Sequence, residues 1–165
     1  MKNVAVILAG GVGRRSGLQI PKQFLKIAGR TIIEHTVEAF EQHNQIDEIA
    51  IVVHPTFSNT VEELIAKNAW KKVKKVLSGG SERYQSSLSA IKAYEEEKDR
   101  EINLIFHDSV RPLVSARIIS DVCSTLKEKL AVDVVIPAVD TIVEVSKTKE
   151  IKNIPNRDCL RCGQT

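Results

Sequence analysis

Short runs rich in valine, isoleucine and leucine alternate along this chain with longer stretches of helical periodicity, and this alternation restricts the folds that the chain can adopt. The runs predict strands at Val4–Ala9, Ile49–His54, Lys74–Leu77, Leu104–His107 and Asp133–Pro137. Alternation of strands with helices is typical of βαβ units, in which helices cover both faces of a parallel sheet. The predicted fold class is therefore α/β, with a mainly parallel central sheet flanked by helices.

Four helices are predicted between the strands, at Thr31–Gln42, Asn59–Asn68, Ser81–Lys98 and Ser115–Lys129. Ser81 and Ser115 are placed as N-caps, and Asn59 with Glu62 has the spacing of a capping box. The first helix carries an apolar stripe that predicts the face packed on the sheet, formed by Ile32, Ile33, Thr36, Val37 and Phe40.

After Val139 the helical periodicity gives way to extended segments. Thr141–Val145 and Lys147–Asn156 predict a hairpin or arm. With 165 residues, 42% of them hydrophobic, the chain can bury one core but is too short for two full domains. We therefore predict a single domain over residues 1–165, with a protruding arm over residues 138–157.

Charge and composition argue against several classes of protein. The formal net charge of +3 is well short of the basicity of a dedicated nucleic-acid-binding protein. No apolar run reaches transmembrane length, and three cysteines are too few for a disulfide framework. Cys159 and Cys162 have the spacing of a zinc or redox motif, but no second pair or nearby histidine completes it. A cytoplasmic protein with no membrane or nucleic-acid partner is predicted.

The first 33 residues, Met1–Ile33, contain no aspartate or glutamate and carry the basic residues Lys2, Arg14, Arg15, Lys22, Lys26 and Arg30. Within this segment the first predicted strand is followed by Gly10, Gly11 and Gly13. Glycines let a backbone approach a ligand closely and turn its N–H groups toward phosphate oxygens. Glycine-rich turns often only connect a strand to a helix, but the acid-free, basic surroundings favour a phosphate site.

Two further loops follow predicted strands and should lie at the same edge, because ligands of open parallel sheets bind outside the carboxyl ends of the strands. They are Gly79–Arg83 and His107–Pro112. Asp108 is placed to hold a divalent cation that bridges nucleotide phosphates. An aspartate there can also simply cap a loop, but Arg111 and the basic loop favour the metal role. Asp140, after the fifth predicted strand, is a further candidate of this kind.

Two common nucleotide motifs do not match. A Walker A loop needs a different glycine spacing and a lysine that is not present. A dinucleotide fingerprint needs a third glycine at position 16, where this chain has Ser16, and an acid after the second strand, where it has His54 and Pro55. A nicotinamide-dependent oxidoreductase is therefore disfavoured.

Six ordered motifs spread over the whole chain resemble those of the cytidylyltransferases that make CDP-ribitol and CDP-methylerythritol. They are Leu8–Arg15, Pro21–Leu25, Gly79–Arg83, His107–Pro112, Asp140–Thr141, and Arg157 followed by Gln164–Thr165. The resemblance implies a Rossmann-like nucleotidyltransferase domain that transfers CMP from CTP to a small sugar- or alditol-phosphate, with Mg²⁺ as cofactor and pyrophosphate as product.

The resemblance also implies a role for each matching residue. The catalytic residues would be Arg15, Lys22 and Arg157. The triphosphate would be wrapped by Gly10, Gly11 and Gly13, and the cytosine recognised by Gly80, Arg83 and Ser86. Mg²⁺ would be held by Asp108. The second substrate would be held by Arg111, Asp140, Thr141, Arg157 and Thr165.

Within the family, the segments Ile7–Gly11, Ser109–Val110 and Ile154–Arg157 favour the ribitol-phosphate branch, with the methylerythritol branch as the alternative. Ser16 and the pair Arg161 and Cys162 depart from the usual pattern without removing a proposed ligand. Members of the family normally continue past the position of Thr165, so we expect a domain that lacks its C-terminal portion. A nucleotide-binding module without catalysis is therefore a second alternative. The resemblance further implies a homodimer that pairs through the arm at 138–157.

Overall fold

A computed structural model describes residues 1–11, 20–80, 82–97 and 101–163 of the chain. The chain divides into two compact units, Met1–Glu128 and Lys129–Thr165. Among the described residues no helix is both long enough and apolar enough to span a bilayer.

The larger unit, Met1–Glu128, contains six strands and four helices in its described part. In chain order they are β1 (Lys2–Ala9), β2 (Lys26–Ile27), β3 (Arg30–Thr31), α1 (Ile32–Glu41), β4 (Glu48–Val53), α2 (Ser58–Asn68), β5 (Val73–Ser78), α3 (Arg83–Glu95), β6 (Ile102–Asp108) and α4 (Ala116–Thr125). Strands β1, β4, β5 and β6 form one parallel sheet in the order β5-β4-β1-β6. The α/β prediction is confirmed, and four of the five predicted strands lie in this sheet.

Each face of the sheet has its own core, because successive side chains of a strand point to opposite faces. On β1, Ala5, Ile7 and Ala9 face one cluster, to which α1, α2 and α4 contribute. Val4 and Val6 face the other, to which α3 contributes Ala90 and Tyr94. The two central strands, β1 and β4, are therefore nearly continuous apolar runs, as strands covered on both faces are.

The apolar stripe predicted for the first helix is confirmed in α1, where Ile33, Thr36, Val37 and Phe40 are buried. The Ser115 cap is also confirmed, since its side chain accepts a hydrogen bond from the Ile118 amide at 3.4 Å.

The capping box predicted at Asn59 and Glu62 is wrong. The helix α2 begins at Ser58 with Phe57 at its N-cap, directly after a 3-10 turn at Pro55–Phe57. That turn fixes an earlier start, so Asn59 lies inside the helix. Ser81 lies outside the described residues, and the N-cap of α3 is Glu82, which forms a capping box with Gln85.

A buried carboxylate, Glu34, ties α1 to α2. It is 1% exposed and accepts hydrogen bonds from the backbone amide and hydroxyl of Thr31, at 2.7 and 2.8 Å. From α2, Lys67 and Asn68 donate to its other oxygen at 2.9 and 3.0 Å. Burial by itself would raise the pKa of Glu34, but these donors lower the pKa to about 2. The carboxylate is therefore ionised at neutral pH.

The smaller unit, Lys129–Thr165, contains β7 (Val135–Pro137), β8 (Glu144–Val145), β9 (Ile151–Asn153) and β10 (Arg161–Gly163) in its described part. Strands β8 and β9 pair antiparallel as a hairpin within the segment predicted as an arm. The prediction that Asp133–Pro137 is a buried strand of the parallel sheet is wrong. Its side chains are exposed, and it pairs antiparallel with β10. The partner, Arg161–Gly163, carries no strand pattern in the sequence, so this pairing could not be predicted locally.

Candidate functional site

The carboxyl ends of the parallel strands lie level with one another. The register pairs Ala9 with Val53, Val53 with Ser78, and Leu8 with Asp108. The loops that follow β1, β5 and β6 therefore begin at one edge of the sheet, where open α/β sheets bind their ligands. This confirms the convergence expected for three of the motifs.

The loop after β1, called the first loop below, and the loop after β5 approach each other closely over the end of β4. The Gly79 amide donates to the Val53 carbonyl at 2.7 Å. A methyl group added at Gly79 would lie 3.4 Å from the Gly10 Cα, and one added at either glycine would lie 3.0–3.1 Å from Ser86 Oγ. The absence of side chains at Gly10 and Gly79 thus allows two backbones and the buried Ser86 hydroxyl to meet.

Gly80 and the start of α3 form the next part of this edge. The capping box of Glu82 and Gln85 sets the first turn of the helix, and a Cβ at Gly80 would collide with the Gln85 side chain. Only glycine leaves this strand-to-helix connection unstrained. Of the residues predicted to recognise cytosine, Ser86 lies against Gly10 of the first loop, and Gly80 directly follows Gly79.

Lys22 lies on a 3-10 turn, Lys22–Phe24, that follows the first loop. Its side chain is exposed and forms no ion pair within the described part of the chain. The neighbouring Gln23 is 3% exposed, and its side-chain amide donates to the carbonyls of Ala9 and Gly11, at 2.9 and 2.8 Å. The sequence reasoning did not single out Gln23, although it lies within the Pro21–Leu25 motif.

Asp108, at the end of β6, lies between two arginines. Its two oxygens pair with the guanidinium groups of Arg83 at 2.9 Å and Arg111 at 3.1 Å. The Asp108 side chain is 17% exposed, whereas the arginines are 58% and 45% exposed. The structure thus brings together three residues with different predicted roles: Arg83 in cytosine recognition, Asp108 in cation binding and Arg111 in binding of the second substrate. The pairing of Arg83 with Asp108 was not predicted.

The loop after β6 is held by polar contacts. Burial lowers the pKa of His107, and its Nε2 lies 3.0 Å from the Arg111 carbonyl oxygen. The Ser109 amide donates to the Leu8 carbonyl at 3.0 Å, and the Thr36 hydroxyl donates to the Ser109 carbonyl at 2.8 Å. Asp108 and Arg111 are therefore carried by a loop tied to β1 and α1.

Three of the predicted site residues that the structure describes belong to the smaller unit. The Arg157 guanidinium donates to the Val139 carbonyl at 3.2 Å, next to the exposed Asp140 and Thr141. Arg157 also lines an open hollow of about 610 Å³, together with Pro137, Ala138, Val139, Asp158 and Arg161. The remaining predicted residues, Gly13, Arg15 and Thr165, lie outside the described residues.

The donor set at Asp108 fits a cation that arrives with phosphates. Among the described residues no three histidine, cysteine, aspartate or glutamate side chains are grouped to hold a metal. Mg²⁺ does not need such a group, since it is usually held by one or two carboxylates together with phosphates and water. A carboxylate has about four lone-pair positions, so Asp108 can accept from two arginines and still offer a ligand.

A parallel sheet with glycine loops and cationic side chains at its carboxyl edge defines an α/β nucleotide-binding domain. Among solved structures, 4-diphosphocytidyl-2C-methyl-D-erythritol synthase from Anaerococcus prevotii has the same fold. The TM-score is 0.83 with 24% identity, over 99% of this chain and 67% of that one. The two chains therefore share one fold.

Residues 3–165 match the family model of 2-C-methyl-D-erythritol 4-phosphate cytidylyltransferase, IspD. The chain belongs to this cytidylyltransferase family.

Two curated relatives match almost the whole chain. The bifunctional ribulose 5-phosphate reductase/CDP-ribitol pyrophosphorylase Bcs1 of Haemophilus influenzae is 50% identical over 99% of this chain and 35% of its own length. The 2-C-methyl-D-erythritol 4-phosphate cytidylyltransferase of Thermobifida fusca is 39% identical over 98% of this chain and 66% of its own length. The chain thus spans about a third of the first relative and just under two thirds of the second.

Proposed function

We propose that this chain transfers CMP from CTP to ribitol 5-phosphate, giving CDP-ribitol and pyrophosphate. The observation that carries the proposal is the sheet edge at which Gly10, Gly79 and Ser86 meet, in a chain that belongs to the cytidylyltransferase family. The choice of ribitol is supported by the higher identity to the relative named as a CDP-ribitol pyrophosphorylase, 50% against 39%.

This reaction needs no covalent nucleophile from the protein. A phosphate oxygen of the acceptor attacks the α-phosphorus of CTP in line, and pyrophosphate leaves, so catalysis rests on positioning and on neutralising charge. In this proposal Lys22, together with Arg15, supplies positive charge to the reacting phosphates. Gly10, Gly11 and Gly13 hold the triphosphate through backbone N–H groups.

The remaining residues divide between base, cation and acceptor. Gly80, Arg83 and Ser86 would bind the cytosine edge. Asp108 would hold Mg²⁺, which neutralises phosphate charge when bound. The acceptor phosphate and hydroxyls would be held by Arg111, Asp140, Thr141, Arg157 and Thr165. Cytoplasmic localisation remains part of this proposal.

Pyrophosphate release tests the proposal directly. We expect release from CTP and Mg²⁺ with ribitol 5-phosphate, and little or none when 2-C-methyl-D-erythritol 4-phosphate replaces it or when UTP replaces CTP. Release with the methylerythritol acceptor alone would favour the other branch of the family. CTP binding without release with either acceptor would indicate a nucleotide-binding module without catalysis.

We further propose that two copies of the chain pair through the arm at residues 138–157. Apolar side chains of this segment are exposed, among them Val139, Ile142, Val145, Ile151 and Ile154. Exposed apolar patches of this kind commonly mark protein–protein interfaces.

Sedimentation equilibrium is expected to give twice the chain mass for the wild type and the single-chain mass for Ile151→Glu, because a charge would be buried at the interface. Lys152→Glu, the adjacent exposed residue in β9, is the matched control. A wild-type chain that sediments as a monomer would contradict this pairing.

A further inference from the structure

Gln23 is a polar side chain buried beside the first glycine loop. Glutamine is mostly exposed in proteins, but here the side chain is 3% exposed. Its amide group donates both to the Ala9 carbonyl and to the Gly11 carbonyl, at 2.9 and 2.8 Å. These two carbonyls flank Gly10, so one side chain holds the backbone on both sides of that glycine.

The two hydrogen bonds matter because a phosphate repels carbonyl oxygens and attracts N–H groups. Glycine residues can rotate their peptide groups easily, and a loop built from Gly10 and Gly11 could turn its carbonyls toward an anion. A carbonyl that accepts from Gln23 is held in its present direction. Gln23 therefore restricts the loop to the peptide orientations that the structure shows.

The same residue links the loop to Lys22. Lys22 and Gln23 share one 3-10 turn. The third residue of this turn, Phe24, packs against Phe57, with the two ring centroids 5.2 Å apart. The Ile32 amide also donates to the Leu25 carbonyl at 2.9 Å. With Gln23 bonded to the loop, the position of the Lys22 backbone is set relative to Gly10.

We propose that Gln23 is a positioning residue that aligns the Gly10–Gly11 backbone with Lys22 for binding of the triphosphate. This inference rests on the proposed function, because it assumes that the phosphates of CTP bind at this loop. Gln23 acts only through the backbone and through its neighbour.

The test compares Gln23→Leu and Gln23→Glu with the wild-type chain, using calorimetric titration with pyrophosphate and with CTP. Leucine removes both donors at similar volume, and glutamate keeps the shape but turns a carboxylate toward two carbonyls. Both variants are expected to bind pyrophosphate and CTP about tenfold to a hundredfold more weakly, since buried carbonyls lose their partners and the loop its orientation.

Cytidine, which lacks phosphates, separates positioning from general loss of structure. Its binding, measured by displacement, is expected to stay within about twofold of the wild type, an affinity change of about 0.4 kcal/mol. The reason is that the base-side residues Gly80 and Ser86 are positioned by β5 and α3, whereas Gln23 donates to Ala9 and Gly11. Gln42→Leu is the matched control, since Gln42 is exposed at the C-cap of α1 and its side chain donates to Glu38. If Gln23→Leu does not fold, Gln23→Asn, which keeps the amide but shortens its reach, takes its place.

The outcomes distinguish this inference from the proposed function. A wild-type chain that binds neither CTP nor pyrophosphate contradicts the proposed function, and the positioning role with it. A wild-type chain that binds CTP, together with folded Gln23 variants of unchanged pyrophosphate affinity, overturns the positioning role alone. Equal weakening of cytidine and pyrophosphate would also overturn it, because that pattern indicates a loosened fold.

Discussion

Replacement of Lys22 by alanine is expected to lower the rate of cytidylyl transfer by about a hundredfold to a thousandfold, because a positioned cation at developing negative charge is worth that much. The Lys22 side chain is exposed and has no ion-pair partner within the described residues. Its charge is therefore available to a ligand. Because the side chain is exposed, the melting temperature is expected to stay unchanged.

Lys26→Ala provides the matched control for this experiment. Lys26 is also exposed and lies in β2, within the same acid-free segment. Steady-state pyrophosphate release should be close to the wild-type rate in Lys26→Ala. Near-normal turnover in Lys22→Ala, or an equal loss in both variants, would contradict the assigned role of Lys22.

Replacement of Glu34 by glutamine is expected to lower the free energy of unfolding at neutral pH by about 2 to 3 kcal/mol. The fall in the pKa of Glu34 from 4.5 to about 2 corresponds to about 3 to 4 kcal/mol before screening by solvent is considered. In the variant, a glutamine NH₂ group would replace one carboxylate oxygen and would face either the donors of Thr31 or those of Lys67 and Asn68. The donors on that side would then lose their acceptor. Lys67 is 61% exposed, so solvent weakens its share of the effect.

The dependence on pH follows from the direction of the shift. In the folded chain the pKa of Glu34 is lower than in the unfolded chain, so the unfolded chain binds more protons between about pH 5 and pH 2. The stabilisation is complete above the unfolded pKa of 4.5 and declines as the pH falls toward 2. The wild type and Glu34→Gln should therefore converge in acid.

Denaturant titration at several pH values measures this difference. Glu63→Gln is the control, because Glu63 is exposed on α2 and should give equal stability to the wild type at neutral pH. A difference between the wild type and Glu34→Gln that stays constant from pH 7 to pH 3 would show that the ionised carboxylate is not its source.

The parallel sheet was predictable from the sequence because its signals are local. The runs around Val4–Ala9 and Ile49–His54 are apolar on consecutive residues, which only strands covered on both faces require. The Ser115 cap was predictable for the same reason, since a cap is a contact over three residues. The glycine loops could be placed at one edge because parallel strands end together.

Other features depended on contacts between distant residues. The strand β7 pairs with β10, and nothing in Val135–Pro137 itself indicates that partner. Asp108 was predicted as a cation ligand, but its ion pair with Arg83 forms only because the tertiary structure brings the end of β6 to the start of α3. The sequence shows Gln23 only as one polar residue of a motif, and its burial and its hydrogen bonds to Ala9 and Gly11 depend on the tertiary structure.

The sequence by itself determined the α/β class and the order of the glycine, lysine and aspartate motifs. It also determined the edge of the sheet at which the described motifs of the larger unit meet. Strand burial, capping and chain order are all encoded in residues close together along the chain. Only the tertiary structure decided which side chains share a hydrogen bond. Gly10 approaches Gly79 across β4, and Gln23 holds the first loop, because packing brings together groups whose sequence separation carries no periodic signal.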